Sequence, residues 1–280
     1  MSNLIKSLLT IFLAVLISAC QSTPKRPLVD APTGAEIVTA DQYSNQPFIE
    51  LLQRFRNAEG ALDYDAWSES NADLLALEQQ VRLLAKISPD SHPEQFADRA
   101  AVRSYWVNTY NTLVIHAVLE YWPLDSVRDV KVSFSSHIIP GKGFFYDRPV
   151  VVGGEKTNLY DLEKKILRTQ KDPRLHFALN CASSSCPVLQ PWEWTDEQLE
   201  QAASDFINSP ANVAVREMAV YLSKIFKWYK KDFGDDIHTY LLQYAQAPLK
   251  ADLQQAQQAK FPVKYVDYDW DLNAQDNSHN

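Results

Sequence analysis

The stretch "EQFADRAAVRSYWVNTYNTLVIHAVLEYW", residues 94–122, decides the class of fold. Its apolar residues recur at helical spacing until Pro123, a residue that cannot continue a helix, so it reads as the longest helix of the chain. Two shorter helical patterns precede it. "PFIELLQRFR", residues 47–56, places apolar side chains at 48, 49, 51, 52 and 55, and "SESNADLLALEQQVRLLAKI", residues 68–87, places Leu74, Leu75, Leu77, Val81 and Leu84 on its buried side behind a cap at Ser70 or Asn71. Between them "NAEGALDYDAW" turns through Gly60.

Beyond Pro123 the pattern changes. "HIIPGKGFFYDRPVVVGGEKT", residues 137–157, predicts a hairpin around the branched run from Phe144 to Val152. "NLYDLEKKIL" predicts a helix capped at Thr157 or Asn158, "RLHFALN" (174–180) a short strand, and "TDEQLEQAASDFIN" a helix with a Thr195/Gln198 capping box. "ANVAVREMAVYLSKIFKWYKKDFG" predicts two strands around Arg216 and Glu217 that pass into a helix. "DIHTYLLQYAQA" predicts a last helix and "VKYVDYDWDLN" a last strand. Helices with interspersed strands, lacking regular alternation, predict an α+β fold: a single helix-rich globular domain, residues 46–275, packed on a small, mainly antiparallel sheet.

The N-terminus bears on location. Lys6 precedes the apolar run "LLTIFLAVLISAC", which is short for a membrane span and fits a secretion signal, residues 1–19. Its end, "ISAC", resembles the lipobox of bacterial lipoproteins, which implies lipidation of Cys20 and anchorage to a membrane. Gln21 after it implies outer-membrane sorting facing the periplasm. Residues 20–45 read as a flexible tether rich in Pro, Ser and Thr, and 276–280 as a disordered tail. The net charge of −8 and the lack of a dense basic patch exclude nucleic acid as the expected partner.

Four polar clusters could carry chemistry. "HFALNCASSSCP", residues 176–187, spaces His176, Cys181 and Cys186 evenly. In an exported protein the two thiols can close a disulfide across "ASSS". Alternatively Cys181 is a nucleophile with His176 as base, or the three residues hold zinc or copper, at a spacing that matches no common site. If 174–180 is a strand, His176 and Asn180 share a face beside Cys181. On the long helix Arg103, Asn108, Asn111 and Thr112 stand together among apolar residues, either tying the helix to loops or contacting substrate, while His116 reads as a core histidine. His137 and Asp147 could complete a Cys-His-Asp set, or sit in a hairpin turn. "KWYKKDF" and "YDWDLN" offer aromatic residues for the core or for a carbohydrate or peptide surface. With seven glycines in all, no P-loop or dinucleotide fingerprint is found, and no zinc motif is present, so no cofactor or metal is expected.

"YWVNTYNTLVIH", "HFALNCASSSCP", "YLSKIFKWYKKDF" and "YDWDLN", in that order, resemble the family catalogued as domain of unknown function 547, from about Asp63 through Asn273. That family spans bacterial exported proteins and plant proteins that join the domain to a coiled coil, and it implies no settled activity. In the plant members the resemblance implies a residue like Cys181 with serine in place of Cys186. Two readings follow. In the first, a lipoprotein binds a protein, peptide or envelope polymer and a Cys181–Cys186 disulfide stiffens one loop. In the second, a papain-like or transglutaminase-like hydrolase or acyltransferase uses Cys181 with His176 or His137 as base and Asp147 or Asn180 to orient it.

Overall fold

The long helix is the axis of the fold. In the structure, a computed structural model that describes residues 22–24 and 42–275, it runs Arg99–Tyr121. It starts five residues later than its apolar pattern because the Asp98 carboxylate accepts the Ala101 N–H, which fixes the first turn, while Pro93–Gln95 forms a separate tight turn. Every residue from Ser104 to Leu119 is buried, so the helix is enclosed by its neighbours on all sides.

The neighbours are the predicted helices Gln46–Phe55 (α1) and Asn71–Lys86 (α3), with a short helix Tyr64–Glu69 (α2) between them, after the turn at Gly60. Ser70 caps α3, its hydroxyl accepting the Asp73 N–H. The long helix is α4. After it come Phe134–Ile138 (α5), the hairpin Val150–Val152 (β1) and Glu155–Thr157 (β2), and Leu159–Asp161 (α6), which widens into π-type turns over Leu162–Leu167. Asp196–Asn208 (α7) carries the expected Thr195/Gln198 box. Val213–Arg216 (β3) and Ala219–Leu222 (β4) then lead into Lys224–Trp228 (α8), Ile237–Tyr244 (α9), Leu249–Gln258 (α10) and Val263–Tyr265 (β5).

β3 and β4 pair antiparallel and β4 and β5 pair parallel, giving a three-stranded sheet beside the separate β1–β2 hairpin. The α+β class holds, with the third strand returning parallel because α8, α9 and α10 intervene between β4 and β5. The buried side chains form one apolar cluster that runs from Phe48 to Leu272.

Several local expectations fail for identifiable reasons. Residues 174–180 are not a strand: Pro173–Phe177 is a 3₁₀ turn, with Pro173 at its first position and the Asp172 carboxylate accepting the Arg174 N–H. The predicted hairpin begins later, since Gly143–Asp147 coils as a wide helical turn. Gly143 is required there, because a Cβ would lie 2.1 Å from the Val130 carbonyl oxygen. The last strand stops at Tyr265, and residues 266–275 continue as an irregular strap bridged to Ser183 and Leu62.

The expected signal peptide, Cys20 and the 276–280 tail lie outside the described residues, as does most of the 20–45 tether. The part of the tether that is described is tied down. Ser22 donates its N–H to the Lys131 carbonyl at 2.7 Å, and its hydroxyl accepts the Lys131 N–H at 2.9 Å. Among the described residues no helix is long and apolar enough to cross a membrane.

Candidate functional site

The cysteine loop is held from both sides. From α4, the Asn111 amide donates to the Ala178 carbonyl at 3.0 Å and its oxygen accepts the Asn180 N–H at 3.0 Å. The Asn180 amide in turn donates to the Pro187 carbonyl at 2.8 Å, and its oxygen accepts the Ala182 N–H at 2.7 Å. That clasp supports Ala182 in the left-handed region, at φ 60°, a conformation a non-glycine residue adopts only when its surroundings hold it there. From the other side comes the C-terminal strap: Ser184 and Ser185 donate N–H groups to the Asp271 and Asp269 carbonyls, and Asn273 donates to the Ala182 carbonyl. Two motifs separated by some 80 residues of chain therefore meet, and "YDWDLN" is the brace of "NCASSSC".

Cys181 and Cys186 are joined in a disulfide. Ser183 Oγ donates to the Tyr268 hydroxyl at 3.0 Å, and that hydroxyl lies 3.3 and 3.1 Å from the two sulfurs. Burial pushes the Tyr268 phenol up to about 12, so it is a neutral donor across the physiological range.

The disulfide forms one wall of a cavity of about 350 Å³. The remaining walls are aromatic: Phe145, Tyr146 and Tyr160 on one side, and Trp228, Tyr229, Tyr268 and Trp270 on the other. Tyr146 and Tyr160 stack at 4.1 Å between ring centres, and Tyr268 lies 4.7 Å from both Trp228 and Trp270. Trp228 is 47% exposed.

Glu163, Lys164, Arg168 and His176 add polar groups to this apolar lining. Burial raises the Glu163 pKa, against the effect of its hydrogen bond with the Tyr229 hydroxyl. His176 stacks on Tyr229 at 4.0 Å, and its Nε2 lies 2.8 Å from Asp232 Oδ2. Burial lowers the His176 pKa and Asp232 offsets only part of that effect, so the imidazole is neutral at pH 7 and donates to the carboxylate. Arg168 grips the same carboxylate with two bonds of 2.8 Å, and those bonds hold the Asp232 pKa below its usual range. Arg168, His176 and Leu179 also line a second cavity of about 320 Å³ that includes Lys171, Lys231 and Asp232.

The structure thus brings His176, Cys181 and Cys186 to one cavity, whose lining does not include Arg103, Asn108, Asn111, Asn180, His137 or Asp147. Asn108 donates to the Trp192 carbonyl at 3.2 Å, while Asn111 and Asn180 serve the clasp. Arg103 lies 3.0 Å from Asp196 and 3.9 Å from Asp172, pinning α4 to the start of α7. None of these four lines the cavity; their bonds tie the helix and the cysteine loop to neighbouring segments. His137 is exposed on α5, and Asp147 pairs with Lys142 and Ser133, so no His137–Asp147 couple exists. His116 is a core residue, its Nδ1 accepting from Arg148 at 2.9 Å and its Nε2 3.1 Å from Glu78. Among the described residues no three His, Cys, Asp or Glu gather to hold a metal.

Sequence reasoning missed Glu163, Arg168, Tyr160 and Asp232. The first three follow one another around the helix "NLYDLEKKILR", where Tyr160 and Glu163 are three apart and Glu163 and Arg168 five apart, a spacing that the π-type turns bring onto one face. Asp232 sat inside "KWYKKDF", a stretch already noted for its aromatics.

Fold and site together define a helix-rich α+β protein with a disulfide-backed, aromatic-walled pocket. Residues 94–207 match the model of a family described as "Protein of unknown function, DUF547". That match covers the α4 and cysteine-loop motifs and supports the family resemblance they carry. No curated protein and no solved structure matches the chain.

Proposed function

We propose that this chain is an exported lipoprotein, held to the outer membrane through Cys20 and facing the periplasm, whose folded part binds a sugar-containing envelope polymer in the aromatic pocket. The observation that carries the binding reading is the pocket itself. Its volume of about 350 Å³ suits a small ligand segment, and its walls pair apolar ring faces with a few polar groups, the composition expected of a binding site. Sugar rings present an apolar face to an aromatic ring and hydroxyls at the edge, where Glu163, Lys164 and Arg168 can bond them. The disulfide holds the wall in place and reduces the ordering that binding requires. Export is supported by the short apolar run ending "ISAC".

The reading is tested by following tryptophan emission while an oligosaccharide of N-acetylglucosamine is titrated into the oxidised chain. A saturable change that disappears in Trp228→Ala supports it. No change with the sugar, together with saturable binding of a peptide of similar size, would replace the polymer with a peptide.

One observation favours a second reading: His176 and Cys181 line the same cavity, and Asp232 orients the imidazole. With the disulfide reduced, Cys181 becomes a thiol whose proton His176 can accept as sulfur attacks a carbonyl, and which it can return to the leaving group. Asp232 then fills the orienting role expected of Asp147 or Asn180. Acyl transfer that appears only after reduction and vanishes in Cys181→Ala is the signature of this chemistry.

A further inference from the structure

The short helix α5 presents three large apolar residues to solvent. Phe134 is 62% exposed, Ile138 67% and Ile139 52%. Phe134 and Ile138 are one helical turn apart and so share a face, and Ile139 follows at the end of the helix. Tyr146, Val151, Val188, Met218 and Trp228 are also exposed, but they stand at separate places along the chain, whereas these three gather on one short segment, and a cluster of this kind on the surface marks a contact.

What it contacts follows from Ser22. Ser22 is bonded to the backbone of Lys131, three residues before Phe134. Cys20 lies two residues before Ser22, and two residues of chain reach at most about 7 Å. Acyl chains on Cys20 would therefore enter the bilayer beside the segment that leads into α5. The charges around that segment suit an anionic surface: Arg128, Lys131 and Lys142 stand near α5 against Asp129 and Asp147, and Lys142 already neutralises Asp147. The platform is firm, because Gly143 sits against the Val130 carbonyl and Ser133 and Ser136 cap α5 reciprocally.

We propose that Phe134, Ile138 and Ile139 form a second, non-covalent contact with the membrane, inserting into the bilayer interface beside the lipid anchor and fixing the orientation of the domain. The proposal rests on the lipoprotein reading. Its geometry has a consequence for the pocket, since the wall residue Trp270 packs on the segment that leads towards α5: Arg128 lies 5.4 Å over the Trp270 ring and Ser126 donates to the Trp270 carbonyl. This wall of the pocket then lies near the membrane-facing segment.

The test uses the mature acylated chain in vesicles of phosphatidylethanolamine and phosphatidylglycerol, with and without brominated acyl chains. Phe134→Trp supplies the reporter, with Ile138→Trp as the alternative if the first variant is poorly folded. The proposal predicts that the added tryptophan, read as the difference from the parent chain, loses about half its emission to brominated lipid, as expected for a ring at the headgroup–acyl boundary. If the chain floats with the vesicles and the added tryptophan is not quenched, the anchor stands and the proposal fails. If the chain does not float, the lipoprotein reading fails and takes the proposal with it.

Discussion

At the scale of single residues, Asn111 illustrates what a buried polar side chain does in this protein. It was legible in the sequence as an asparagine that must find partners, but the partners, Ala178 and Asn180, lie in a loop whose conformation no spacing rule announces. Asn111→Ala leaves a buried carbonyl and a buried N–H unpaired, and a loss of about 2 kcal/mol or more is expected in urea unfolding. A change below about 0.5 kcal/mol would show that the clasp is not what holds the loop. Replacing both Cys181 and Cys186 by alanine removes a short cross-link and should lower stability by about 2 kcal/mol, measured the same way under oxidising conditions.

The titrating residues make opposed contributions. Burial lowers the His176 pKa, so as pH falls below about 6.5 the unfolded chain takes up the proton first and stability declines through the folded pKa. Arg168 lowers the Asp232 pKa, so the Asp232 contribution is complete above the usual carboxylate range and is lost as pH falls through its depressed folded value. Burial raises the Glu163 pKa, so its contribution is complete at low pH and is lost as pH rises from about 4.5 through the folded value. Glu163→Gln is therefore expected to stabilise the chain at pH 7 relative to pH 4, read from urea midpoints at the two values. A variant less stable than the parent at pH 7 alone would reverse the assignment.

At the scale of elements, propensity read α1, α3, α7, β3 and β4 correctly because each carries its own periodicity, with a side-chain cap added at α3 and α7. It failed at 174–180, where alternation in "LHFALN" mimics a strand but Pro173 and Asp172 set a 3₁₀ turn. It also missed α5 and α10, whose stabilisation comes from caps and from packing on the sheet more than from a clear apolar stripe. The β3–β4 turn offers an element-level prediction. Glu217 and Met218 both adopt positive φ, 51° and 54°, a turn that suits Asn-Gly far better. The double substitution Glu217→Asn with Met218→Gly should raise stability by about 1 kcal/mol, seen as a higher thermal midpoint. An unchanged or lower midpoint would mean that the turn is not strained.

At the scale of the whole molecule, the pocket exists only because distant segments converge. Its walls come from the wide turn before β1, from α6, from the cysteine loop, from α8 and from the C-terminal strap. The sequence pointed to the cysteine loop and to the aromatic residues near the C-terminus, but the meeting of the two depends on strap bonds such as Ser184 to Asp271, which leave no periodic signature. The central claim is that this convergence makes a binding site. Calorimetric titration of an N-acetylglucosamine oligosaccharide into the oxidised chain, beside Trp228→Ala with its fold checked by circular dichroism, tests it most directly. The account predicts saturable binding to the parent that weakens about tenfold or more in the variant, as expected when an aromatic anchor is removed. Equal affinity in both chains, or no heat of binding in either, would contradict it.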